Sequence, residues 1–201
     1  SSSATILFLF WSITILAKKL LEVKGNEVNL TQLISIIGSG AVGALAFTFS
    51  DTFWFSAVEA EVYAMSSFFT AVVFWAILKW ETQADEEGAD KWLLLIAYLV
   101  GLSIGVHLLN LVAIPALGYV YYFKRYSPST RGLIFATLIS LGVIFLINNL
   151  IIPGFPTLAG KFEILFTNSF KMPFGTGITI FIFLLVGALV YGIFYSINNN
   201  K

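Results

Sequence analysis

From Trp92 to Phe123 the chain runs 32 residues without one Asp, Glu, Lys or Arg. A water-facing surface cannot be built from such a stretch, since soluble domains carry about 25% charged residues. One helix of that length would extend about 48 Å, whereas ~20 apolar residues already cross ~30 Å of hydrocarbon. Further apolar segments of spanning length fall near 4–21, 31–50, 61–80, 131–152 and 175–195. Over all 201 residues 58% are hydrophobic and 11% charged. Too few charges remain to cover a globule, so most of the surface faces lipid. The predicted fold is all-α: a polytopic transmembrane helix bundle, formed as a single domain over 1–201.

Charge placement decides how the long stretch crosses. Cytoplasmic loops carry the excess of Lys and Arg. If 92–123 crosses twice, as helices 92–105 and 107–123, one side holds Lys18, Lys19, Lys24, Lys79, Lys91, Lys124, Arg125, Arg131 and Lys201, and the other only Lys161 and Lys171. If it crosses once, the split is seven against four. The first is more lopsided, so about seven spans are expected, with a tight break near Gly105, Val106 and His107. Gly101 and Gly105 suit that break, and Pro115 lies in the second half.

Other features narrow the function. Eleven basic and eleven acidic residues balance to zero, which argues against nucleic acid as a partner. There are no cysteines, and with one histidine too few nitrogen or sulfur ligands remain for a metal site. The chain opens on Ser1-Ser2-Ser3-Ala4 without Met and stops just past an apolar segment. It is expected to be an internal piece of a longer protein.

Several matches are decoys. Gly38-Ser39-Gly40-Ala41-Val42-Gly43 fits the dinucleotide pattern G-x-G-x-x-G, but that motif needs a preceding strand. Here it falls within a spanning helix, where Ser35, Ser39 and Gly43 are expected to form a small-residue stripe for helix packing. Asn29-Leu30-Thr31 fits a glycosylation acceptor but falls on the predicted cytoplasmic side. The acidic run Glu81 to Asp90 reads as a solvated cytoplasmic loop.

The opposite, extracytoplasmic end is where chemistry is expected. It receives Asp51, Glu59 and Glu61, the turn at His107, and the segment from Pro153 to Gly175. Carboxylates at the hydrocarbon boundary are costly and usually face a cavity or a partner. If 58–63 is helical, Glu59 and Glu61 point about 200° apart, while Glu59 and Tyr63 share a face. Ser103, His107 and Asn110 fall at i, i+4 and i+7, one polar stripe if the helix continues past the turn. His107 reads as a hydrogen-bonded core residue or as a polar group placed to bind an anion. The segment 153–175, with Phe155, Phe162, Phe166, Phe170 and Phe174, reads as lying in the membrane interface.

The runs Ser50-Asp51-Thr52-Phe53-Trp54-Phe55-Ser56-Ala57-Val58-Glu59-Ala60-Glu61-Val62-Tyr63 and Gly101-Leu102-Ser103-Ile104-Gly105-Val106-His107-Leu108-Leu109-Asn110 resemble a family of membrane proteins. It is a domain-of-unknown-function family common in Bacteroidetes, related to the eukaryotic O-mannosyltransferase of plexins. The resemblance implies a GT-C type glycosyltransferase. Such an enzyme takes a sugar, here mannose by analogy, from a polyprenyl-phosphate carrier to a protein or glycan acceptor on the extracytoplasmic face. It further implies a bacterial inner-membrane location with a periplasmic active face. His107 would meet the lipid phosphate, with Asn110 and Ser103 in support. Asp51, Glu59, Glu61 and Tyr63 would be substrate-binding, and the catalytic acid would lie upstream of the chain, leaving this piece inactive alone. No cofactor is implied beyond the lipid-linked sugar, and a divalent metal finds no support. The competing readings are a secondary transporter, for which no internal repeat speaks, and a structural membrane subunit.

Overall fold

The computed structural model describes residues 1–22, 28–59 and 62–199. Among these residues every regular element is helical, as the composition requires. The chain divides into two compact units, Ser1–Leu141 and Gly142–Lys201.

The first unit opens with α1 (Ser2–Glu22) and α2 (Leu30–Thr48). Helix α2 begins on a capping box, with Asn29 Oδ1 accepting from Gln32 N at 2.9 Å and Gln32 Oε1 from Asn29 N at 3.0 Å. The apparent glycosylation acceptor thus serves to satisfy helix-start donors. The dinucleotide-like run lies inside α2, and the close approach to α1 is made there by Gly40 and Gly43. A Cβ on Gly40 would sit 2.6 Å from Thr14 Cγ2, and one on Gly43 2.6 Å from Ile13 Cδ1. The packing face is Ile36, Gly40, Gly43 and Ala44. The stripe expected from Ser35, Ser39 and Gly43 is therefore offset. Ser35 and Ser39 are exposed and return their hydroxyls to the carbonyls of Thr31 and Ile36.

A short α3 (Asp51–Val58) leads to α4 (Tyr63–Gln83), the axis of this unit. In α4, 44% of the spanning window is buried, against 11% in α1 and 17% in α2. Ala76, Ile77 and Trp80 are wholly enclosed. Helices α5 (Asp90–Ile104) and α6 (Ala113–Arg125) run along α4 in opposite directions. Trp92 Nε1 donates to Gln83 Oε1 at 2.6 Å where α5 begins, and His107 meets Tyr63 at the far end. The chain then returns, with Tyr121 stacked on Trp80 at 5.3 Å and Arg125 Nη2 donating to the Ala84 carbonyl at 2.7 Å.

The break near 105–107 expected from sequence is present. Helix α5 ends as the His107 N–H bonds back to the Ser103 carbonyl at 2.8 Å, and a 3₁₀ turn at Leu108–Val112 leads into α6. Pro115 falls in the first turn of α6, where its missing N–H costs nothing. Five candidate spans among the described residues are long and apolar enough to cross a membrane. Helices α5 and α6 have 15 and 13 residues, about 22 and 20 Å, and each is short for a ~30 Å hydrocarbon layer.

The acidic run is an exposed turn for most of its length, as expected, but its start is helical and two of its acids are paired. Helix α4 extends through Glu81, which pairs with Lys19, and Asp85 pairs with Lys124 at 2.7 Å and Arg125 at 3.7 Å. Most of the run is nevertheless exposed, Asp85, Glu86, Glu87 and Asp90 included.

Helix α7 (Thr130–Leu146) reaches across the boundary between the units. In the second unit a π turn (Ile147–Ile151), α8 (Ile152–Ile164) and another π turn (Leu165–Ser169) follow, then α9 (Thr176–Asn199). The segment read as an interfacial loop, 153–175, is thus helical as far as Ser169. Pro153, Gly154, Pro156 and Gly160 look like breakers in sequence. Pro153 falls at the start of α8, just after a π turn, whose wider spacing absorbs a missing donor.

Candidate functional site

The end of the first unit where α3, α4 and the α5–α6 turn converge holds most of the residues singled out by sequence. Glu59 is the C-cap of α3 with extended backbone, φ −75° and ψ 141°, and α4 starts only at Tyr63. The backbone of Glu59 is not helical, so the face it was expected to share with Tyr63 in one helix does not form. Glu59 is exposed. Glu61 lies outside the described residues. Asp51 is exposed in the first turn of α3, where a carboxylate complements the helix dipole.

Tyr63 and His107 do come together, with ring centroids 5.8 Å apart. His107 has extended backbone, φ −159° and ψ 130°, and its Nδ1 accepts from the Leu109 N–H at 3.0 Å. An accepting Nδ1 leaves the proton of the neutral ring on Nε2. The capping bond therefore sets the tautomer, and it also starts the 3₁₀ turn.

Asn110 parts company with His107 because the helix does not continue through the turn. It is 4% exposed and turns onto α4, where Oδ1 accepts from Ser66 Oγ at 3.0 Å and Thr70 Oγ1 at 2.8 Å. The Thr70 hydroxyl also lies 3.0 Å from the Ser66 carbonyl, so one proton is shared between two acceptors. Asn110 Nδ2 is buried with no partner among the described residues. A buried donor left unmade costs about 1–3 kcal/mol. Ser103 is fully enclosed and donates to the Val100 carbonyl at 2.7 Å, a structural bond within α5. No group of three or more His, Cys, Asp or Glu able to hold a metal occurs among the described residues.

Sequence reasoning passed over Ser66 and Thr70. Their signal was present: Tyr63, Ser66 and Thr70 fall at i, i+3 and i+7, one polar edge on an otherwise apolar helix. It also passed over Glu163 in the second unit, 7% exposed. There Oε1 accepts from Gly175 N at 2.6 Å and Thr167 Oγ1 at 3.2 Å, and Oε2 from Ile178 N at 3.0 Å. That carboxylate closes the first turn of α9, and no sequence spacing announces a cap contributed from another helix.

Only helices among the described residues, with five candidate spans and polar groups gathered at the ends of α4, define an integral membrane helix bundle. Within that class, residues 1–130 match the family described as Protein O-mannosyl-transferase TMEM260 N-terminal domain, and the chain belongs to that family. No curated protein and no solved structure matches the chain. The matched stretch includes all of Asp51, Glu59, Glu61, Tyr63, His107 and Asn110.

Proposed function

We propose that this chain is part of a GT-C type membrane glycosyltransferase. It would transfer a sugar, mannose by family, from a polyprenyl-phosphate donor to a protein or glycan acceptor at the extracytoplasmic face. The observation that carries the reading is the family match over residues 1–130, a stretch that contains Tyr63, His107 and Asn110. Protein O-mannosyltransferase chemistry needs a sugar donor and a protein acceptor. A lipid-linked donor also needs hydrogen-bond donors where its phosphate leaves, since positioned donors stabilise developing negative charge.

The residues have the right chemistry for that task. His107, held with its proton on Nε2, would donate to a phosphate oxygen. Asn110 Nδ2, the unpartnered buried donor, would supply a second bond and so recover its own desolvation cost. Tyr63 would support the His107 ring, and Asp51, Glu59 and Glu61 would hold sugar or acceptor hydroxyls. The catalytic acid would lie upstream, and residues 1–201 would form one transmembrane domain of about seven spans. We place it in a bacterial inner membrane with the Tyr63–His107 end periplasmic.

The test is sugar transfer from a polyprenyl-phosphate mannose donor by the full-length protein. His107→Ala and Glu59→Gln should each lower transfer, by about ten-fold or more for the phosphate-binding histidine, with expression unchanged. Wild-type rates in both variants would remove these residues from the site. No transfer by the unaltered protein with any lipid-linked sugar would end the reading.

A further inference from the structure

The opposite end of α4 carries a second cluster. A cavity of about 590 Å³ is lined there by Lys18, Lys19, Lys79 and Lys124, with Glu81 as its only carboxylate among the described residues. Glu81 pairs with Lys19, and Asp85, from outside the cavity, pairs with Lys124. Lys79 meets no carboxylate among the described residues; its ammonium lies 5.9 Å from the Trp75 ring. Glu81 and Asp85 offset Lys19 and Lys124, which leaves the Lys79 ammonium facing the hollow with only a ring beside it among the described residues, and an anion there would be attracted.

Two apolar grooves leave this cavity. One, about 250 Å³, shares Ile15 and Lys79 with it and continues along Trp11 and Trp75, whose rings pack against each other at 5.8 Å to form one apolar wall. The other, about 290 Å³, shares Lys19, Glu81 and Lys124 and continues along Leu16, Leu78, Val120 and Phe123. In each the lysines stand near a helix end and the apolar walls lie further along the helix. Trp11 is eight residues before Lys19, about 12 Å along α1. A charged hollow opening into two apolar grooves repeats the order of a lipid with one phosphate and two chains. Basic pockets between spanning helices recognise anionic headgroups in this way.

We propose that this end of the first unit binds an anionic diacyl phospholipid. Its headgroup phosphate sits among Lys19, Lys79 and Lys124, with one acyl chain in the Trp11–Trp75 groove and the other in the Leu78–Phe123 groove. The site lies at the far end of α4 from the Tyr63–His107 pair, and it does not depend on the proposed transferase activity.

The test uses the purified protein in nanodiscs, following quenching of tryptophan fluorescence by brominated phosphatidylglycerol or brominated phosphatidylcholine at equal mole fraction. Phosphatidylglycerol should quench more strongly. Lys79→Gln should lower that preference about five-fold, the share of one lysine near an anionic headgroup. Inorganic phosphate, against chloride at matched ionic strength, should not displace the lipid, and single-chain lysophosphatidylglycerol should compete poorly. Equal quenching by the two headgroups in the unaltered protein overturns the proposal without need of any variant. So does an undiminished preference in a folded Lys79→Gln protein, displacement by phosphate alone, or equal binding of the single-chain lipid.

Discussion

Glu163 satisfies two backbone donors and one hydroxyl at once, those of Gly175, Ile178 and Thr167. The first-turn N–H groups of any helix have no partner within it, and inside a membrane water cannot serve them. A carboxylate lent by α8 does so for α9 and also meets the positive end of its dipole. Gly175 has φ 93°, the left-handed conformation glycine adopts freely, and this directs its N–H toward Glu163. Glu163→Ala should loosen the α8–α9 turn by leaving these donors without their acceptor. Hydrogen exchange at Gly175 and Ile178 reads it directly. Both amides should exchange faster in the alanine variant and less so in Glu163→Gln, which keeps an acceptor; unchanged protection would show that the cap is idle. At this scale the sequence was only partly legible. Tyr63 was singled out for a face shared with Glu59 and His107 for its turn, but their meeting was not read from spacing, and Asn110 was placed beside His107 on a helix that stops at Ile104. The Glu163 cap depends on two helices meeting, which local spacing does not encode.

Among the elements, the link between α4 and α5 is fastened back onto α6. Asp85 accepts from Lys124 and faces Arg125, while Arg125 also bonds the Ala84 carbonyl. The Lys124 hydrogen bond and charge, then Arg125, hold the Asp85 carboxyl below the usual range. The folded state therefore binds its proton less readily than the unfolded chain, and stability rises with pH through this group. Its contribution is complete above the ordinary carboxylate value of about 3.9 and fades as pH falls through the lower folded value. Since the group is exposed, the effect is small and weakens with salt. Exchange protection around 84–90 should fall on acidification below about pH 4, and Asp85→Asn should show no such dependence. A variant that kept the wild-type pH response would assign it to another group. The helices themselves were easy to read, because ~20 apolar residues between charges leave few alternatives. The exception was 153–175, read from its phenylalanines as an interfacial segment, where the structure is helical as far as Ser169.

For the whole molecule, the sequence argument rested on charge asymmetry, and the first unit shows how the charges come together. Lys19, Lys79, Glu81, Asp85, Lys124 and Arg125 meet at one end of α4, while Tyr63 and His107 mark the other. Along α4, Lys79 and Glu81 lie 16 and 18 residues after Tyr63, about 24–27 Å. The absence of native cysteine makes single-cysteine labelling clean. Leu109→Cys and Glu86→Cys, both at exposed positions, should react with a membrane-impermeant maleimide from opposite sides. Reaction of both from one side would refute the two-crossing reading of 92–123.

The shortness of α5 and α6 also bears on how the protein is made. A helix of 13 or 15 residues leaves polar backbone ends within the hydrocarbon if it enters the bilayer alone, and Asn110 adds a side-chain amide to that burden. Both helices rest on α4, whose Ser66 and Thr70 receive that amide. In a nascent chain, α1 and α2 could leave the insertion machinery as a ready-made pair, sealed by Gly40 and Gly43. The α5–α6 hairpin has to be released onto an α4 already in place, so the order of synthesis and the order of packing coincide.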